Sequence, residues 1–396
     1  MFSFTIDYVL VLIGALLMSL FLTPLVRFLA FRVGAVDNPN ARRVNKVPMP
    51  TSGGLAIFMS FLVASLGLIP IASKGAMFFG QTYFSYILPV VIGATVITLT
   101  GFLDDLYELS PKLKMFGILI GAVIVWAFTD FKFDSFKIPF GGPLLVFGPF
   151  LTLFLTVLWI VSITNAINLI DGLDGLVSGV SIISLVTMAI VSYFFLPQKD
   201  FFLPQKDFFL TLTILVLIAA IAGFFPYNYH PAMIYLGDTG ALFIGFMIGV
   251  LSLQGLKNST AVAVVTPVII LGVPIMDTIV AIIRRSLSGQ KFYEPDKMHL
   301  HHRLLSMGFT HRGAVLVVYG ITMLFSLISL LLNVSSRIGG VLLMLGLLFG
   351  LEVFIEGLEI WGEKRTPLFN LLKFIGNSDY RQAMLLKWKE KKDLKH

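Results

Sequence analysis

Apolar runs long enough to cross a bilayer recur along almost the whole chain, and no other feature limits its fold as strongly. A spanning helix needs about 20 mostly apolar residues, because hydrocarbon cannot satisfy a bare backbone N–H or C=O. Eleven stretches meet or approach that length, at about 8–30, 53–73, 85–103, 115–129, 147–169, 175–196, 208–226, 239–254, 260–285, 313–333 and 338–361. The expected fold is an all-α polytopic membrane protein with about eleven transmembrane helices. Only 13% of the 396 residues are charged and the mean hydropathy is +0.91, whereas a soluble domain carries about 25% charged residues. The ninth run contains Pro267 and Pro274 and should be broken. The chain has no Cys, which excludes a disulfide framework and thiolate chemistry. The first run has neither a basic leader nor a small-residue cleavage site before it, so it reads as a retained helix.

Lys and Arg set the expected orientation, since basic loops stay on the cytoplasmic side. Segments 27–51, 104–114, 284–312 and 362–395 fall on one side and hold 22 of the 29 basic residues. That side is expected to be cytoplasmic, with the N-terminus outside and the C-terminus inside. A single transmembrane catalytic domain, residues 1–361, should precede a basic cytoplasmic tail, residues 362–396. On the outer side, FKFDSFKIPFG at 131–141 alternates apolar and polar residues and suits a small β-hairpin. FFLPQKD, repeated in tandem at 194–207, reads as a duplication that lengthened a tolerant loop.

The unusual polar residues gather on the proposed inner face. The central stretch NAINLIDGLDGL places Asn165, Asn168, Asp171 and Asp174 at a spacing of three, which on a helix or helix end would form one stripe of oxygen atoms. Asp104 and Asp105 end the third run in GFLDDLYELSPKLK. Asn228 and Asp238 lie in NYHPAMIYLGDTG, and Asp277 sits near the inner end of the ninth run. His299, His301 and His302 lie in DKMHLHHRLL. Carboxylates at a membrane face are costly and mark function. Clustered carboxylates call for a hard cation such as Mg²⁺, which pairs one or two carboxylates with substrate phosphates. That set suits phosphoryl transfer. Glycines beside the acids, Gly172, Gly175, Gly237 and Gly240, allow close approach of a bulky anion. Lys46, Arg284, Arg285, Lys297 and Arg303 offer further contacts to phosphate. Without Cys, the His cluster suits phosphate better than zinc.

Taken in order, PNARRVNKVPMPTSGG, GFLDDLYELSPKLK, NAINLIDGLDGL, NYHPAMIYLGDTG and HLHHRLL resemble the polyprenyl-phosphate N-acetylhexosamine-1-phosphate transferase family over nearly the whole chain. Members move a sugar 1-phosphate from a UDP-sugar to a membrane polyprenyl phosphate with Mg²⁺, releasing UMP. The resemblance implies catalytic roles for Asp104, Asp105, Asp171 and Asp174, with Asp105 or its neighbour deprotonating or orienting the lipid phosphate. It implies that Asp238, with Asp105 and Asp174, holds the metal. It implies substrate contacts for Lys46, Thr51, Asn168, Asn228, His299, His301, His302 and Arg303. Asn45 stands where many relatives carry His. His-Leu-His-His followed by Arg303 is similar to the GlcNAc-1-phosphate branch. UDP-GlcNAc and undecaprenyl phosphate are therefore the expected substrates, for the start of teichoic acid or polysaccharide assembly at the cytoplasmic face of a bacterial plasma membrane. The lipid bilayer is the expected partner, nucleic acid is not, and a homodimer is left open. The muramoyl-pentapeptide branch is the alternative substrate class. A transporter is the alternative of a different kind, although transporters keep their polar sites near mid-bilayer rather than at one face.

Overall fold

The computed structural model describes residues 6–37, 48–73, 82–137, 143–195, 204–256, 261–287 and 299–357, together with isolated positions 374, 382 and 384. Lys46, Asn45, most of the FFLPQKD duplication, Lys297 and nearly all of the basic tail lie outside the described residues. The chain forms two compact units, residues 1–278 with 310–334, and residues 279–309 with 335–396.

The first unit is built from helices that coincide with the apolar runs. They are α1 (Ile6–Val33), α2 (Gly54–Val63), α3 (Ile69–Ala72), α4 (Tyr83–Tyr107), α5 (Pro111–Phe128), α6 (Pro149–Leu169), α7 (Leu176–Phe194), α8 (Pro204–Asn228), α9 (Gly237–Leu256) and α10 (Ala261–Ile270). The first turns of α11 (Gly272–Leu287) follow, and α13 (His311–Val334) closes the unit after the short α12 (Leu300–Ser306). A π-helical turn, Ala64–Leu68, joins α2 to α3 without a break. Among the described residues, nine helices are long and apolar enough to cross a membrane. The two other expected spans fall on α9, apolar over Gly237–Leu253, and on the pair α10 and α11. The protein is an all-α polytopic membrane protein.

The expected break in the ninth run lies at Leu271, between the two prolines. Pro267 sits inside α10, and Pro274 in the first turn of α11, where a missing N–H costs nothing. The fourth run begins earlier than its apolar residues suggest. Ser110 caps α5 and Pro111 occupies its first position, so the polar PKLK turn is already helical. That single turn decides where Lys114 points.

α9 is the centre of the first unit. From Ala241 to Leu253 its described side chains are buried on every side, the pattern of a helix that is apolar all round and enclosed. It packs against α2, α4, α6, α7 and α10. Small residues permit the approach. A Cβ on Gly54 would lie 2.0 Å from the Cα of Gly240, and one on Gly245 2.9 Å from the Cα of Thr164. Such close backbone contact replaces the hydrophobic drive that lipid cannot supply. The surrounding helices turn large apolar residues outward, such as Phe21, Phe28, Phe116 and Phe154.

Two small antiparallel ribbons complete this unit. β1 (Val36–Asp37) pairs with β2 (Met49–Pro50) and brings Thr51 and Ser52 back to the helix ends. β3 (Ser135–Lys137) pairs with β4 (Leu144–Val146), with Phe136 opposite Leu145. The expected hairpin is present, but its second strand lies beyond 141, because FKF at 131–133 precedes the strand rather than belonging to it. In the second unit, His299 precedes α12, and α14 (Arg337–Gly357) buries Glu356.

Candidate active site

The end of α4 and the start of α9 meet at one point, and glycine makes the meeting possible. A Cβ on Gly101 would lie 2.5 Å from the carbonyl oxygen of Asp238. Gly237 has φ +72°, and a Cβ there would lie 2.4 Å from Thr51 Oγ1 and 2.5 Å from Asp105 Oδ2. Only glycine satisfies both the left-handed backbone and the crowding. The segment after β2 is stitched to the same place, since the Gly53 and Gly54 N–H groups donate to the carbonyls of Tyr235 and Leu236 at 3.0 and 2.9 Å.

The adjacent acids Asp104 and Asp105 face different partners. Asp105 accepts the Asp238 N–H at 2.9 Å and the Thr239 N–H at 3.1 Å, so it caps α9 from another helix. It also accepts the hydroxyls of Thr239 at 2.6 Å, Ser52 at 2.8 Å and Thr51 at 3.4 Å. A carboxylate offers about four acceptor positions, so these donors saturate it. Asp104 instead meets Lys114. The Lys114 ammonium donates to Asp104 Oδ2 at 3.0 Å and to Asp238 Oδ1 at 2.7 Å, bridging two acids from different helices. The Asn168 amide is a further hydrogen-bond partner of Asp238.

Asp171 joins this group. It lies in the turn after α6 and is half-buried. Desolvation pushes its carboxyl up to about 8, helped by the charges of Asp238, Asp105 and Asp174 and opposed by Lys114. Asp104 and Asp238 thus share the Lys114 ammonium, with Asp171 and Asn168 close enough to sense the same charges. All the donor atoms of the acids and the amide carbonyl are oxygen, the ligand set of a hard cation.

Asp174 departs from the expected stripe. α6 ends at Leu169, and residues 170–175 form a turn in which Gly175 has φ +76°. A regular three-residue spacing therefore does not keep the four polar groups on one face. Asn165 bonds its own helix, at the Val161 carbonyl. Asp174 Oδ2 meets His230 Nδ1 at 2.7 Å and the Ala232 N–H at 3.1 Å. Its own N–H donates to His311 Nε2 at 2.9 Å. The His230 and His311 rings stack with centroids 4.1 Å apart. Ligand atoms of Asp174, His230 and His311 all lie within 4.8 Å of one another.

The other expected substrate residues are distributed as follows. Thr51 serves Asp105. Asn228 is buried, accepting the Ser178 hydroxyl at 2.8 Å and donating to the Ile234 carbonyl at 3.2 Å, so it braces the loop before α9. His299, His301, His302 and Arg303 belong to the second unit, on and before α12. His299 and His301 are buried, and the His301 and His302 rings lie 4.2 Å apart. The sequence reading missed Lys114, Ser52, Thr239, His230 and His311. Lys114 had a signal, the second Lys of PKLK, one helical turn past the Ser-Pro start of α5. His230 stood inside the quoted NYHPAMIYLGDTG, but nothing marked it as a partner of Asp174.

Comparison with known proteins gives the family. A family model described as "Glycosyl transferase family 4" matches residues 86–256, the span from α4 to α9. A Bacillus subtilis protein named "Probable undecaprenyl-phosphate N-acetylglucosaminyl 1-phosphate transferase" is 41% identical over 93% of this chain and 97% of its own length. A decaprenyl-phosphate N-acetylglucosaminephosphotransferase of Mycobacterium tuberculosis is 33% identical over 79% of both chains. An undecaprenyl-phosphate alpha-N-acetylglucosaminyl 1-phosphate transferase of Salmonella typhi is 27% identical, over 74% of this chain and 75% of its own. With 41% identity sustained almost end to end against one relative, and with the family match lying on the helices that carry the acid cluster, the chain belongs to glycosyl transferase family 4.

Proposed function

We propose that this protein transfers GlcNAc-1-phosphate from UDP-GlcNAc to undecaprenyl phosphate and releases UMP, at the cytoplasmic face of a bacterial plasma membrane. The observation that carries the reading is the Lys114 bridge between Asp104 and Asp238, with Asp171 beside it. An anionic phosphate entering this cluster needs cationic partners, and Lys114 is already placed among the acids. The names of the three relatives support the sugar and the polyprenyl acceptor. The 22 basic residues of the proposed inner segments support the cytoplasmic face.

In this reading an oxygen of the lipid phosphate attacks the β-phosphorus of the UDP-sugar. The bond from that phosphorus to the bridging oxygen breaks, and UMP leaves with that oxygen. Asp104 orients the lipid phosphate or takes its proton, and Lys114 meets phosphate charge as it shifts. The oxygen donors of Asp104, Asp171 and Asp238 suit Mg²⁺, which when bound would offset the charge of the diphosphate. Of the metal residues implied by resemblance, Asp238 keeps that role here. Asp105 and Asp174 act one step back, through the cap on α9 and through His230. His299, His301, His302 and Arg303, with Lys46, remain the proposed contacts to the sugar nucleotide.

The test is UMP release by purified protein offered undecaprenyl phosphate with UDP-GlcNAc, or with the muramoyl-pentapeptide donor at matched concentration. Mg²⁺-dependent release with UDP-GlcNAc is expected. No release, or equal use of the muramoyl donor, would overturn the assignment.

A further inference from the structure

The first turns of α13 lie outside the acid cluster, yet they hold two of the loops that build it. Tyr319 donates its hydroxyl to the Gly175 carbonyl at 2.5 Å. A Cβ on Gly179 would lie 2.1 Å from the Tyr319 ring, so glycine makes room for that side chain. Arg312 donates through Nε and Nη2 to the His230 carbonyl at 3.3 and 3.0 Å, and its guanidinium lies 5.9 Å from the Tyr229 ring centre. His311 accepts the Asp174 N–H, and His230, stacked on His311, meets the Asp174 carboxylate. Main chain and side chain of Asp174 are thus held by two histidines from different elements. Both hydrogen bonds of its carboxylate fall on Oδ2, which His311 Nε2 also approaches to 4.0 Å.

We propose that His230 and His311 are positioning residues that act through Asp174, clasping loop 170–175 to loop 229–236 so that Asp171 and Asp238 keep their places. The inference rests on the transferase reading for its consequence, but the clasp can be tested without it. The hydrogen bonds fix what each ring must supply. His311 must present an acceptor at Nε2, so its proton resides on Nδ1. His230 must present a donor at Nδ1. The same three side chains could suit an imidazole-binding metal. Here, however, His230 Nδ1 already faces the Asp174 carboxylate and His311 Nε2 the Asp174 N–H.

Conservative variants separate a positioning role from bulk packing. His311→Gln restores an acceptor near Nε2, and His230→Asn restores a donor near Nδ1, whereas Leu at either position fills space without either function. The Leu variants should lower kcat/KM for UMP release about tenfold, the scale of losing one well-made hydrogen bond. Gln and Asn should recover most of that loss. The double Leu variant should fall little below the worse single one, because both rings serve one carboxylate. An independent readout uses the absence of native Cys. In Ala232→Cys protein, a small thiol reagent should react several-fold faster once His230→Leu or His311→Leu is added, at unchanged thermal midpoint. Unchanged reactivity and full activity in the Leu variants would overturn the clasp. So would one equivalent of Co²⁺ or Zn²⁺ retained by the wild-type protein and lost from the histidine variants. Failure of wild-type protein to release UMP, with the reactivity change intact, would overturn the transferase reading alone.

Discussion

Two neighbouring aspartates at the end of α4 do different work, and the difference is set by what each oxygen can reach. Asp105 is filled by backbone and hydroxyl donors, while Asp104 keeps its place beside Lys114 and Asp238. Removing the ammonium should therefore harm function more than its place in the first turn of a membrane helix suggests. Lys114→Met is expected to lower UMP release by about 10²-fold or more, the scale of losing a charged transition-state contact. It also leaves Asp104 and Asp238 facing each other uncompensated. Measured kcat/KM near that of the wild type would remove Lys114 from the site. Asp171 gives a second test, through stability. Its folded carboxyl sits at about 8, against about 3.9 in an unfolded chain. Between those values the folded protein binds more protons than the unfolded one, so stability falls as pH rises through this window. In chelator, the thermal midpoint should drop between about pH 6 and 8, and Asp171→Asn should flatten that drop. Added Mg²⁺ should counter it, by holding the ionised form. A wild-type midpoint that rises over the same range would contradict the assigned charge state.

At the scale of elements, the start of α9 is the joint on which the site turns. Gly237→Ala forces a side chain into a left-handed residue and against Thr51 and Asp105, at a cost of about 1–3 kcal/mol. Its thermal midpoint should fall and its activity with it. Gly148→Ala, at a position with open space around it, should change neither, which makes it the control. The helices themselves were legible in the sequence, because each apolar run dictates one, and the proline pair foretold the break near Leu271. The acids of the site were legible too, as polar residues in places where polarity is expensive. Their division of labour was not. Asp104 and Asp105 look alike in sequence, and only the direction of α9 decides which becomes a cap. The regular spacing of Asn165, Asn168, Asp171 and Asp174 suggested one stripe, but α6 ends at Leu169, and the turn that follows takes Asp171 and Asp174 off the helical register. Lys114 was hidden for the opposite reason, since Lys112 and Lys114 in an inner segment read first as a topology signal.

For the whole molecule, the orientation proposed from charge can be checked directly, because the chain has no Cys to remove. Val146 on β4 and Tyr107 at the end of α4 are both well exposed. Val146→Cys should react with an impermeant thiol reagent added to intact cells, and Tyr107→Cys should not. The reverse pattern would put the acid cluster on the wrong face for a cytoplasmic sugar nucleotide. The burial of α9 has a further consequence for how the enzyme meets its surroundings. Helices bordered by lipid must tilt or stretch the bilayer when its thickness changes. α9 touches other helices along its length and carries Asp238 at its head, so the adjustment falls on the outer ring. α1, which carries none of the site's acids and not Lys114, can lean while the reacting groups stay in register. Across vesicles made from lipids of graded acyl length, turnover should vary less than the tilt of α1, as if the chemistry rode on a gimbal inside the membrane.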